Sequence, residues 1–132
     1  AGYSVLAVQM NHSVPAFGYQ VTSPDGKAVF YTSDTGPGLE ACWQQISPQL
    51  IIMELTAPDK YEKFALTSGH FTPGLLRQEM EGFRKLKGYL PEVVLVHMNP
   101  VEEKPIETEI QAVARSLDMN IRLAYEGMRL EI

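Results

Sequence analysis

The run Leu50-Ile51-Ile52-Met53-Glu54-Leu55 constrains the fold more than any other feature of the chain. It is apolar except at Glu54 and shows no recurring polar face, so it predicts a strand covered on both sides, inside a sheet rather than on its rim. Val93 to Val96 is a second buried run of the same kind. A carboxylate buried without compensation is costly. Glu54 therefore either orients a histidine through a hydrogen bond to one ring nitrogen or marks the exposed end of its strand.

The segments around these runs carry their own signals. Tyr3 to Met10 sets Val5, Ala7 and Gln9 on one face and Leu6, Val8 and Met10 on the other, which predicts an interior strand because both faces are mostly apolar. Phe17 to Val21 and Ala28 to Thr32 flank Ser23-Pro24-Asp25-Gly26-Lys27, where proline presets φ and glycine accepts a positive one, so a β-hairpin is expected. Asp34 to Gly38 reads as a loop, and Leu39 to Ile46 as a short helix ended by Ser47-Pro48. Thr72-Pro73 is an oxygen-bearing cap before a proline at the first helical position. Leu76, Met80, Phe83 and Leu86 continue that helix to Gly88. Pro105 introduces another helix with Ile106, Ile110, Val113 and Leu117 on one side. Ile121 to Tyr125 and Met128 to Ile132 close the chain as strands around Glu126-Gly127. Strands first, then helices interleaved with strands, indicate an α/β (α+β) domain with a mixed sheet covered by helices.

Composition narrows the function classes. The formal charge of −5, with the eleven Lys and Arg scattered, disfavours nucleic-acid binding by this segment. An anionic substrate stays open, because bound divalent metals supply positive charge that side chains do not. No apolar run approaches the ~20 residues of a membrane span, and no signal peptide is visible, so a cytoplasmic location is the expectation. The lone Cys42 sits among apolar and helix-forming residues and reads as a buried, inert thiol. Gly36-Pro37-Gly38 lacks the lysine of a phosphate loop and reads as a turn. Glu102-Glu103-Lys104 reads as a solvated loop, and Trp43 and Phe83 as core.

All three histidines fall at element ends. His12 follows the first strand, Asp34 follows the hairpin, His70 precedes the long helix and His97 ends a buried strand. A rigid sheet presents ligands into a cleft from such positions, although each histidine alone is as compatible with a hydrogen-bonded loop residue. Together these residue types suit ligation of zinc, manganese or iron, without a local signature such as His-Glu-x-x-His.

Four segments in order resemble the second half of metallo-β-lactamase-fold phosphodiesterases: Asn11-His12-Ser13-Val14-Pro15-Ala16-Phe17-Gly18-Tyr19, Tyr31-Thr32-Ser33-Asp34-Thr35-Gly36-Pro37, Ser68-Gly69-His70-Phe71-Thr72-Pro73 and Val96-His97-Met98-Asn99-Pro100. The likeness is to class II cyclic-nucleotide phosphodiesterases and to tRNA 3′-end-processing endonucleases. It implies half of an αββα sandwich and a site for two divalent ions, zinc foremost, with manganese or iron as alternatives. By position, it makes His12 a ligand of one metal, Asp34 the carboxylate bridging both and His97 a ligand of the second. His70 resembles the histidine beside the scissile phosphate, and Glu54 the acidic residue supporting it.

The sequence departs from that pattern in three places. Ser33 stands where the family usually has glycine before the aspartate, and Met98-Asn99 replaces the familiar residues after the last histidine. There is no His-x-His-x-Asp-His motif, which the family places in its first half. Residues 1–132 are thus expected to be a C-terminal half that binds metal poorly and is inactive alone. Its expected partners are the missing N-terminal half, or a chain supplying it, and a small phosphodiester such as a cyclic nucleotide. A tRNA-processing endonuclease is the alternative within that class, and a non-catalytic binding or assembly domain forming a homo-oligomer is the alternative outside it.

Overall fold

Ser23 to Lys27 turns the chain as its composition predicts: Gly26 has φ +87°, its N–H donates to the Ser23 carbonyl, and the Ser23 amide donates to the Lys27 carbonyl. The turn joins two strands of a six-stranded sheet ordered as in the chain, seen in a computed structural model that describes residues 2–132. The strands are β1 (Ser4–Gln9), β2 (Phe17–Thr22), β3 (Ala28–Tyr31), β4 (Leu50–Glu54), β5 (Glu92–Val96) and β6 (Ile121–Leu123). β1, β2 and β3 pair antiparallel, and β3 to β6 pair parallel. Two reversals return the chain to its starting direction, so only β2 opposes the rest and the carboxyl ends of the other five strands share one edge. The helices are α1 (Glu40–Gln45), α2 (Glu62–Ser68), α3 (Pro73–Lys87) and α4 (Glu103–Leu117).

The helices α1, α3 and α4 cover one face. Val8, Phe30, Ile51, Met53, Val93 and Leu95 point into the core from the sheet, against Trp43, Leu76, Met80, Phe83, Ile106 and Ile110. Trp43 lies edge-on to Phe83 at 5.2 Å and to Phe30 at 6.3 Å, and each such buried side chain contributes about 1.5–3 kcal/mol. Helix α3 starts as its sequence predicts: Thr72 accepts the Leu75 amide, and Gly88 takes the left-handed cap at φ +81°. Glu79 on α3 caps α1 from outside, accepting the Gly38 and Leu39 amides and the Trp43 indole N–H.

The opposite face is open over the first three strands. Register aligns Val5 with Val21, Tyr19 with Tyr31, and Tyr31 with Ile52, placing these side chains away from the helices. Val5 is 64% exposed, Phe17 47% and Tyr31 46%. β1 is consequently an edge strand rather than the interior strand its composition predicts. Apolar residues on both faces report a need for cover on both faces, and the described residues cover only the face carrying Val8.

Three further details differ from expectation, and one helix, α2, falls in a stretch for which none was formed. Met128 to Ile132 is not a strand: the Met128 amide turns back to the Tyr125 carbonyl, and the residues beyond it run without ladder pairing to Ile132, whose carbonyl accepts from Lys27 Nζ at 2.8 Å. The strand expected at Ile121 to Tyr125 stops at Leu123. Glu102-Glu103-Lys104 is helical rather than a loop, because a 3₁₀ turn at Pro100–Glu102 runs into α4, which begins before Pro105. Helix α2 had no amphipathic signal, and Phe64 and Leu66 on it are exposed.

Cys42 is buried at 3% exposure. Burial, aided by the nearby Glu79 charge, pushes its thiol up to about 12. The native protein is therefore expected to stay unlabelled by a maleimide at pH 8 and to label fully in denaturant; rapid native labelling would contradict the packing described.

Candidate metal centre

Each residue singled out by position stands at the carboxyl edge of the sheet. His12 follows β1, Asp34 follows β3, Glu54 ends β4 and His97 follows β5. Residues just beyond parallel strands converge on one cleft in open sheets. His70 reaches the same cleft from the turn between α2 and α3, held there because the Thr56 amide donates to the Phe71 carbonyl at 3.1 Å. The three imidazoles form a row: His12 and His70 lie edge to face at 5.1 Å, and His70 and His97 stack at 5.4 Å.

Glu54 is the hub of this row. It is 1% exposed, which settles the choice between a buried partner and an exposed strand end. Its Oε1 accepts the Thr35 amide at 3.0 Å and His70 Nδ1 at 2.7 Å; its Oε2 accepts the Thr56 hydroxyl at 3.0 Å and the Phe71 amide at 3.4 Å. Burial pushes this carboxyl above the ordinary range, opposed by the Thr35 amide, His70 and Thr56. Among the described residues, no buried side-chain nitrogen or oxygen is left without a partner.

Spacing alone would allow Glu54, His70 and His97 to hold an ion, since one ligand atom from each lies within 4.8 Å of the others. Chemistry argues otherwise. A carboxylate offers about four lone-pair sites, and those of Glu54 are committed to four donors. The 2.7 Å contact to His70 is a hydrogen bond with a proton in it.

A better donor set faces outward. His12 Nδ1 lies 2.7 Å from the Gly69 carbonyl, which can only accept, so His12 carries a proton there and in its neutral form keeps the lone pair on Nε2. His97 Nδ1 lies 2.9 Å from Thr56 Oγ1, while its Nε2 faces Asp34 Oδ1 at 3.6 Å. Two donors bound at about 2.0–2.2 Å to one tetrahedral zinc stand a little over 3 Å apart, so this spacing fits a shared cation. Imidazoles tied at the far nitrogen are the usual support of metal ligands. Asp34 and His97 thus present facing donor atoms that suit a cation, while among the described residues His12 is not gathered with them within 4.8 Å.

Tight loop contacts hold these residues. Gly69 has φ +79°, and a Cβ there would stand 2.8 Å from His12 Nδ1 and 3.1 Å from His12 Cα. A Cβ on Gly36 would meet Gly69 Cα at 3.1 Å. Gly69→Ala is expected to destabilise the chain by about 2–3 kcal/mol, from left-handed strain and overpacking, measured by urea denaturation; an unchanged midpoint would refute the contact. Ser33, where glycine was expected, adopts a left-handed φ of +56°, and its hydroxyl donates to the Phe17 carbonyl at 2.7 Å. His97 is itself left-handed at φ +71°.

Thr56 and Gly69 were missed by reading the sequence. The signal for Thr56 was present: two residues beyond Glu54 along extended chain, its side chain falls on the same side. Gly69 touches His12 across 57 residues, which no local pattern reports.

No protein-family model matches the chain, and no curated protein matches it in sequence. Solved structures do match. Unliganded yeast PDE1 superposes with a TM-score of 0.79 at 18% identity, covering 96% of this chain and 45% of that one. The metallo-beta-lactamase fold protein YhfI from Bacillus subtilis gives 0.75 at 17% identity, covering 99% and 50%. The short form of human tRNase Z gives 0.70 at 23% identity, covering 99% and 44%. The chain has the metallo-β-lactamase fold, and it spans about half the length of these structures.

Proposed function

We propose that this chain is the C-terminal half of a dinuclear, metal-dependent phosphodiester hydrolase. The observation that carries the proposal is the facing pair at the cleft, His97 Nε2 and Asp34 Oδ1 at 3.6 Å, on the same edge of the sheet as His12. His12 and His97 would each hold one ion and Asp34 would be shared, with zinc foremost and manganese or iron as alternatives. Such a metal pair, when bound, supplies an activated water and a clamp on phosphoryl oxygens.

The chain's own residues do the rest. Glu54 fixes the His70 ring through Nδ1, which aims Nε2 at the cleft, where a proton on it would stabilise the charge developing on the phosphate or the leaving oxygen. Tertiary contact with Thr35, Thr56 and Phe71 holds Glu54 still while it does so.

A small diester such as a cyclic nucleotide is the favoured substrate, because the chain is acidic and offers no basic run to a polyanion. The likeness to human tRNase Z keeps 3′-end processing of tRNA as the alternative. A second reading, a non-catalytic assembly domain, draws on the open apolar face of β1 to β3. In the hydrolase reading that face packs against the half carrying His-x-His-x-Asp-His. In the assembly reading it packs against another copy.

The test combines metal content, native mass and turnover of a chromogenic phosphodiester, a cyclic nucleotide and a tRNA precursor with a 3′ trailer. About two metals per complex with the second half, together with diester turnover, is the expected result. A stable, metal-free homo-oligomer that turns over none of the three would overturn the hydrolase reading.

A further inference from the structure

We infer that Thr56 is a positioning residue whose hydroxyl sets the ring tautomer of His97 and so decides whether the nitrogen facing the cleft is bare. The inference rests on His97 being a metal ligand, and it follows from counting protons. Glu54 accepts from the Thr56 hydroxyl at 3.0 Å, and an ionised carboxylate has no proton to give. The one hydrogen of Thr56 is therefore spent on Glu54, and its oxygen offers only lone pairs to its remaining neighbours.

Two ring nitrogens compete for those lone pairs. His70 Nδ1 is 3.2 Å from Thr56 Oγ1 but 2.7 Å from Glu54 Oε1, so its proton goes to Glu54. His97 Nδ1, at 2.9 Å, takes the Thr56 oxygen and must carry a proton to do so. In the neutral ring Nε2 then holds the lone pair, facing Asp34 Oδ1 at 3.6 Å. Among the described residues Thr56 is the only hydrogen-bond partner of His97 Nδ1.

The backbone of Thr56 explains why it can do this. Its amide donates to the Phe71 carbonyl on the His70 side, and its carbonyl accepts the Asn99 amide on the His97 side. Thr56 is thus fixed to both loops that carry the histidines. His97, half exposed and in a left-handed conformation, has no comparable restraint of its own. Neutral imidazole without a partner favours no such arrangement, so removal of the hydroxyl would leave Nε2 protonated in part of the population and closed to a cation.

The experiment reads the ring nitrogens of His97 by long-range proton–nitrogen NMR on this chain labelled with 15N-histidine and kept metal-free. The expected spectrum has a protonated Nδ1 and a bare Nε2 in the wild type and in Thr56→Ser, and a mixture of tautomers in Thr56→Val. In the completed protein, zinc affinity should fall about 10–100-fold in Thr56→Val and recover in Thr56→Ser. A neutral wild-type His97 ring protonated at Nε2 rather than Nδ1 would overturn the inference even if Thr56→Val failed to fold, and so would an unchanged tautomer in folded Thr56→Val. If the tautomer responds to Thr56 but the completed wild-type protein takes up no zinc, the role of Thr56 on His97 stands and the metal reading falls.

Discussion

Asp34→Ala in the completed protein is expected to abolish dinuclear metal content, and turnover with it, while leaving the fold nearly untouched. The side chain is 44% exposed and its one polar neighbour among the described residues is His97 Nε2, at 3.6 Å. It therefore contributes little to folding, and a change within about 0.5 kcal/mol, or about 3 °C in Tm, is expected. In the proposed site it would serve both ions, so that its removal would take a donor from the two together, whereas loss of His12 or His97 would weaken one ion each. Metal analysis after gel filtration, beside a thermal melt, checks this. Two metals retained per complex would remove Asp34 from the site.

His70→Ala should produce the reverse pattern. Metal content is expected to survive, because His70 Nδ1 is committed to Glu54 and the ring stands between the proposed ligands without joining them. Turnover should fall by about 10²–10⁴-fold, the range for loss of a general acid. This variant also strands Glu54, which is 1% exposed and loses its shortest hydrogen bond. A stability loss of about 1–3 kcal/mol should accompany the loss of turnover, so the assay belongs well below the melting temperature. Equal metal loss in His70→Ala and Asp34→Ala would overturn the division of labour between them.

The two substitutions separate because the sequence separated them first. Glu54 announced itself as the lone charge in an apolar run, and the histidines as residues at element ends; both signals are local, and both led to the cleft. What escaped was set by contacts between distant segments. Nothing near Gly69 reports that His12 will lie against it, and nothing near Thr56 reports two imidazoles competing for its oxygen. The misplacement of β1 has a different cause. Apolarity on both faces of Tyr3 to Met10 is a statement about cover, and a strand on a rim carries the same pattern when cover comes from outside the sheet. Met128 to Ile132 failed for the complementary reason: alternation makes a segment fit for pairing but does not by itself bring it to a sheet edge.

The shared direction of β1, β3, β4 and β5 sorts the connections of this domain into two populations. Those leaving the carboxyl ends bear His12, Asp34, Thr56 and His97, and a residue added to any of them would shift a donor relative to its counterparts. Those at the other rim, the Ser23 to Lys27 turn and the links entering β4, β5 and β6, never approach the cleft. Length changes, tags or fused domains there are felt only by the scaffold. The molecule therefore has one rim on which chemistry restricts variation and one on which lineage or engineering can work freely, with the width of the sheet between them as insulation.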